Sequence, residues 1–374
     1  MNSHHAMLTP VITLLKSIDS FIPHGNHSAF QKLWKAETES ALQSLDIEDS
    51  EKALEALDLV NDALDIFARD AENLSWLHMT VQQRKEKVNR IQSTPQIPQR
   101  SQEWFENYGK VLTASEFSAL FTMNKRRRDL IYSKVNPCVD SQPTFRHACP
   151  TDQMNAIGWG IRFEPVVKQL LEYKDKCKIY EPGRIQHSTN THLAASPDGL
   201  IESAANPQQL GRLVEIKCPY SRVIGREVPS DYWIQMQIQM EVTDIDECEY
   251  VETNIVSRRA NQLDPVDLSG TTYQGILYLL KEKKDEGESF EYKYVYGEIG
   301  STDKPTFPEG YECVEEIPWG LKSWHRIIVH RDRGWYEGTL PWQEAFWRDV
   351  DLAKKGELTP HTPSKPTACL ITDD

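Results

Sequence analysis

The stretch from Ser196 to Pro219 restricts this chain more than any other part of it. It opens with Ser196-Pro197-Asp198-Gly199, a tight turn in which Gly199 lets the backbone bend and leaves the Asp198 carboxylate exposed. It closes with Leu213-Val214-Glu215-Ile216-Lys217, a short strand rich in branched residues that Pro219 stops. Side chains alternate along a strand, so Glu215 and Lys217 project from one face. Ile216 points into the core, and its carbonyl stays available at the strand edge. A hairpin of this length can set Asp198 beside Glu215. Two converging carboxylates are hard oxygen ligands suited to Mg²⁺ or Mn²⁺. A lysine beside them can hold or deprotonate a water, while the cation takes up charge developing on a phosphate.

The rest of the chain reads as an α/β protein with a helical preface. Over residues 28–92, Leu42, Leu45, Leu54, Leu57, Leu64 and Phe67 recur at helical spacing between charged residues. Ser93-Thr94-Pro95-Gln96-Ile97-Pro98-Gln99 has the composition of a linker, which places an N-terminal α-helical module at 1–95 and a second domain at 96–356. Leu112-Thr113-Ala114-Ser115-Glu116 ends a short apolar run and starts a helical pattern, with Ser115 as the expected N-cap. Helices are expected at 158–173, where Glu164 lies, at 232–242 and at 341–352; strands at 249–254, 290–297 and 326–330. The proline-containing segment 357–374 reads as a disordered tail.

Composition bears on the class of partner. The net charge of −14 is uneven. Residues 1–99 hold 9 Lys and Arg against 14 Asp and Glu, residues 100–260 hold 20 against 21, and residues 261–374 hold 13 against 21. The middle third is nearly neutral, and bound divalent ions would make it locally positive, which is what a nucleic-acid surface requires. Seven scattered cysteines without CxxC spacing suit a reducing compartment and exclude a zinc ribbon or an iron–sulfur cluster. The first ten residues lack a basic region followed by an apolar one, and no run of about 18 apolar residues occurs. The expectation is an intracellular protein, cytoplasmic or nuclear, that is neither secreted nor in a membrane.

Four motifs, in order, resemble the phage lambda exonuclease and YqaJ-type viral recombinase family of the PD-(D/E)xK nuclease superfamily. Ser196-Pro197-Asp198-Gly199-Leu200 followed by Glu215-Ile216-Lys217-Cys218-Pro219 is similar to its core. Leu112-Thr113-Ala114-Ser115-Glu116 resembles its phosphate-binding segment, and Gly160-Ile161-Arg162-Phe163-Glu164 resembles the helix that brings the first acidic residue. Tyr232-Trp233-Ile234-Gln235-Met236-Gln237 resembles its glutamine helix. The likeness covers about residues 100–260, with weaker support to about 350.

The resemblance implies a restriction-endonuclease-like core, a mixed central sheet flanked by helices. It implies Glu164, Asp198, Glu215 and the Ile216 carbonyl around two Mg²⁺ or Mn²⁺ ions, with Lys217 beside the nucleophile. Gln235 or Gln237 would support the site; two apart on a helix, they cannot share a face. Arg100, Thr113 and Ser115 would hold a DNA phosphate, the terminal 5′ one. The expected activity is digestion of double-stranded DNA ends, 5′ to 3′, in recombination, replication or repair, by a ring-like homotrimer that works with a single-strand annealing protein. The alternatives are an endonuclease on the same core and a catalytically silent DNA-binding module; the intact Asp198, Glu215 and Lys217 set speaks against the second.

Overall fold

The computed structural model describes residues 79–98, 101–122, 125–137, 149–151, 154–225, 227–259, 265–284 and 290–358. The chain divides into two compact units, Met1–Ser75 and Trp76–Asp374. The helices expected before residue 79, Arg100, and the tail beyond Leu358 lie outside the described residues.

The second unit begins with α1 (Val81–Ser93), followed by α2 (Gln102–Glu106), β1 (Leu112–Thr113), a 3-10 helix (Ala114–Phe121) and α3 (Lys125–Val135). Then come α4 (Ala156–Asp175), β2 (Cys177–Tyr180), β3 (Ile185–Gln186), β4 (Leu193–Ala195), β5 (Gly199–Ala204) and β6 (Leu213–Lys217). Next follow α5 (Ser230–Thr243), β7 (Glu247–Ser257), β8 (Tyr273–Glu282), β9 (Tyr292–Tyr296), β10 (Tyr311–His330) and α6 (Arg333–Lys354). Seven strands form a mixed sheet in the order β2-β5-β6-β7-β10-β8-β9, and β1, β4 and β3 form a small second sheet. The β6–β7 pair is parallel, with Glu215 opposite Tyr250 and Lys217 opposite Glu252. Among the described residues no helix is long and apolar enough to cross a membrane.

Alternation along β6 divides the core. Leu213 joins one apolar cluster with Tyr250, Met236, Met240 and Phe346; Val214 and Ile216 join the other with Phe163, Val167, Leu277 and Trp319. The central position of β6 and β7 explains why both are almost wholly buried. Glu247 and Glu249 on β7 are buried because Arg212 and Arg326 meet them. Strand β10 runs for 20 residues, where the sequence pointed only to 326–330. Pro318 and Gly320 interrupt its pattern; Gly320 is needed because a Cβ there would lie 2.7 Å from Thr271.

Helix α1 differs from its expected place. It falls inside the segment read as the N-terminal module, yet Val88 and Ile91 are buried in the first core cluster. Arg84 donates to Gln208 O at 3.0 Å, and Lys87 and Arg90 meet Asp244. The linker composition of 93–99 marks a bend after α1, not the edge of the folded unit. Asp244 ends α5 in a left-handed conformation (φ 54°), a backbone state that Asn also tolerates. Burial alone would raise its pKa, but Arg331, Lys87 and Arg90 outweigh burial and hold it at about 2. A carboxylate depressed in this way stabilises the fold above its unfolded pKa of about 4 and loses that contribution as pH falls through the folded value. Asp244→Asn is therefore expected to lower the urea midpoint at about pH 7, with the gap from the unmutated chain closing as the pH falls toward 2. A gap that is constant with pH would show that the charge of Asp244 contributes nothing.

Candidate active site

The hairpin between β5 and β6 builds the centre of the site. Their pairing ends at Gly199 opposite Val214, so the next three residues of β6 have no strand beside them on that edge. Asp198 fills the gap: its Oδ2 accepts a hydrogen bond from Ile216 N–H at 2.7 Å. Strand geometry turns a residue's N–H and C=O to the same edge, so the Ile216 carbonyl also faces the Asp198 side. The need for Gly199 differs from the expected one. Its φ is not positive, but a Cβ there would stand 2.5 Å from Ile179 Cγ2, an atom fixed by branching. Glycine lets β2 approach closely at the point where Asp198 turns toward β6.

Glu215 and Lys217 share a face, as their spacing requires, and form an ion pair. Glu215 is fully buried. Its Oε2 accepts from Gln239 Nε2 at 2.6 Å, while its Oε1 has no hydrogen-bond partner beyond the ion pair. Lys217 lies 3.4 Å from Gln235 Oε1, and its ammonium is 4.6 Å from the centre of the Tyr232 ring. Burial alone would lower its pKa; the Glu215 and Asp198 carboxylates hold it well above the ordinary lysine value. Burial, followed by the charges of Glu215 and Glu164, pushes the Asp198 carboxyl well above the carboxylate range. Glu164 reaches the group from α4 and is held by Lys168 at 2.8 Å.

This electrostatic arrangement tests the expected cation. Two glutamates whose charges raise the proton affinity of Asp198, with a buried Glu215 oxygen still unpaired, suit a hard divalent ion. Among the described residues no three such side chains converge as a ready ligand set. Each is bonded elsewhere: Asp198 to Ile216 N–H, Glu215 to Lys217 and Gln239, Glu164 to Lys168. Chemistry and charge fit the ion, which would draw these carboxylates from their present partners.

The glutamines need correction. Gln235 faces the site, but Gln237 does not. Gln237 Nε2 donates to His330 O and its Oε1 accepts from Asp332 N–H, both at 2.7 Å, which satisfies the turn between β10 and α6. The residue that joins Gln235 is Gln239, one helical turn on. That spacing was present in Gln235-x-Gln237-x-Gln239, but nothing in the sequence said which face of α5 meets β6. Glu252 was also missed. It is buried beside Lys217, is paired with Arg222 and keeps one oxygen without a hydrogen bond.

The phosphate segment takes a different local form. Thr113, not Ser115, occupies the N-cap of the 3-10 helix, and its hydroxyl donates to Glu116 Oε2 at 2.7 Å. Glu116 is in turn tied to the buried Lys134 at 2.8 Å and to Tyr108. Thr113 thus positions the segment, while the exposed Ser115 hydroxyl lies 3.4 Å from that of Thr113. Parallel pairing of β1 with β4 places Thr113 beside Ala194, four residues before Asp198. In the basic run, Lys125, Arg126 and Arg127 pair with Asp129, Asp231 and Asp349, so that part of it anchors α3. His187 accepts from Asn190 N–H at 2.9 Å and His192 meets Lys110 O at 3.0 Å, both structural contacts.

Known proteins are similar to parts of this chain. An uncharacterised protein of Acanthamoeba polyphaga mimivirus is 26% identical over 307 residues, 71% of this chain and 54% of its own length. The chain thus spans about half of that curated relative. An alkaline exonuclease from Laribacter hongkongensis aligns over 68% of this chain and 95% of its own, at 17% identity and a TM-score of 0.39. A phage-related exonuclease from Haemophilus somnus 129PT aligns over 66% and 96%, at 11% identity and a TM-score of 0.36. The segment that contains Thr113, Ser115, Glu164, Asp198, β6 and most of α5 matches a family model: residues 103–246 are similar to the YqaJ-like viral recombinase domain.

Proposed function

We propose that this chain is a divalent-metal-dependent deoxyribonuclease that digests duplex DNA from its ends, 5′ to 3′, in recombination or in DNA replication and repair. The observation that carries the reading is the convergence of Asp198, buried Glu215 and Lys217 at the open edge of β6, inside the recombinase domain. Asp198, Glu215, Glu164 and the Ile216 carbonyl would hold Mg²⁺ or Mn²⁺, two ions by family likeness. Such an ion, when bound, polarises the phosphodiester and makes a bound water more acidic. Lys217 would donate hydrogen bonds that orient the nucleophile and offset charge at the phosphate. Gln235 and Gln239 fix Lys217 and Glu215 in those roles. Arg100, Thr113 and Ser115 would seat the terminal 5′-phosphate, Thr113 by shaping the segment and Ser115 by its hydroxyl. A homotrimer and an annealing partner complete the reading.

Three labelled substrates test it: 5′-phosphorylated linear duplex, 5′-hydroxyl linear duplex and closed circular duplex. We expect digestion of linear DNA with Mg²⁺ or Mn²⁺, none in excess EDTA, and little with Ca²⁺, which relaxes the octahedral geometry. Initiation should be roughly tenfold faster on the phosphorylated end, a ratio that shrinks in Ser115→Ala and Arg100→Ala. Full turnover in EDTA removes the metal from the mechanism, and rapid cutting of the circle makes the protein an endonuclease.

A further inference from the structure

Lys168 lies one turn after Glu164 on α4, and its side chain is only 11% exposed. Its ammonium is 2.8 Å from Glu164 Oε1 and 2.9 Å from Oε1 of Glu181, the residue just beyond β2. Burial alone would lower the pKa of Lys168, but the two carboxylates raise it above the ordinary lysine value. A glutamate and a lysine four apart are an ordinary helix-stabilising device on an open surface. Two facts set this pair apart. The ammonium is largely out of solvent, and its glutamate is one of those whose charge acts on Asp198. An oxygen that accepts a hydrogen bond from an ammonium at 2.8 Å is not free to coordinate a cation in the same direction. The Glu164 carboxylate is therefore held by an internal cation.

We propose that Lys168 is a positioning residue that competes with the divalent ion for Glu164, holding the glutamate back and passing to Glu181 when Glu164 turns to the metal. The inference rests on the metal-dependent reading above. Glu181 makes the transfer feasible, because a buried ammonium left without a counter-ion would be strongly unfavourable. Its side chain is 65% exposed and already within hydrogen-bond reach, so it can follow Lys168 without repacking. Lys168 also places a positive charge beside the cation site, so affinity for the ion is lower than the carboxylates alone would give.

The test uses the intact chain and Mn²⁺ alone, with free Mn²⁺ read by electron paramagnetic resonance and no DNA present. Lys168→Met should bind Mn²⁺ about tenfold more tightly than the unmutated chain. Lys168→Gln, which keeps a donor for both carboxylates, should change affinity in the same direction and covers the case in which Met does not fold. Glu181→Gln, which leaves Lys168 wholly on Glu164, should bind several-fold more weakly. Lys178→Met removes a lysine whose side chain is 68% exposed and should leave affinity unchanged. Unchanged or weaker binding in both Lys168 variants overturns the proposal. So does tighter binding in Glu181→Gln, or a gain in Lys178→Met equal to that in Lys168→Met. If the unmutated chain binds Mn²⁺, Asp198→Asn abolishes that binding and the Lys168 variants change nothing, only the role of Lys168 falls. If the unmutated chain binds no Mn²⁺, the metal-dependent reading falls with it.

Discussion

Asp198→Asn, Glu215→Gln and Lys217→Met are each expected to reduce hydrolysis of 5′-phosphorylated linear duplex about a thousandfold or more, since each removes a ligand or a charge that acts on the reacting phosphate. The substitutions are near-isosteric so that the readout is chemistry, not folding. Asn at 198 can still accept the Ile216 N–H bond, and Gln at 215 can still accept from Gln239. Met at 217 keeps an apolar stem against the Tyr232 ring. Gln239→Leu should have a smaller effect, roughly tenfold to a hundredfold, because it misplaces Glu215 without removing it. Gln237→Leu should act on stability, through the turn between β10 and α6. Cleavage rates and melting temperatures measured side by side separate these outcomes. A Lys217→Met protein that folds and cuts at the unmutated rate would remove Lys217 from the mechanism.

Deleting α1 should be the most damaging change outside the site. A chain beginning at Gln96 loses Val88 and Ile91 from the core, each contributing about 1.5–3 kcal/mol when fully buried. It also leaves Gln208 O without its Arg84 donor and Asp244 without Lys87 and Arg90. Against a total stability of about 5–15 kcal/mol, that loss is a large fraction. We expect the Gln96 chain to melt more than about 10 °C below one beginning at Trp76, or not to fold. The Trp76 chain keeps the whole larger unit and should retain nuclease activity. Calorimetry of the two chains decides the matter: melting points within about 2 °C of each other would restore a boundary near residue 95.

The boundary that the structure moves and the helix face that it selects have a common origin. The linker reading of 93–99 was sound as local chemistry, since Pro95 and Pro98 do end the helix. Whether α1 belongs to the unit before or after that bend depends on Val88 and Ile91 meeting residues far along the chain, such as Leu210 and Val242 in the same cluster. In the same way Gln237 and Gln239 look equivalent in the sequence, and only the seating of α5 against β6 distinguishes them. The run 326–330 reads as strand, but the first fifteen residues of β10 do not, because Pro318 and Gly320 break the pattern and Glu312, Glu315 and Glu316 before them interrupt any apolar alternation.

What the sequence determined by itself is the candidate site. Glu215 and Lys217 lie on one face because strand side chains alternate, and a hairpin of this length returns the chain so that β6 passes Asp198. These are short-range consequences of backbone geometry, which no distant residue needs to supply. The tertiary structure decided the surroundings: Gln239 on Glu215, Glu252 beside Lys217, Lys168 and Glu181 around Glu164, and the docking of α1. Each depends on a register or a helix face chosen by the burial of many remote side chains together, a choice that no local pattern contains.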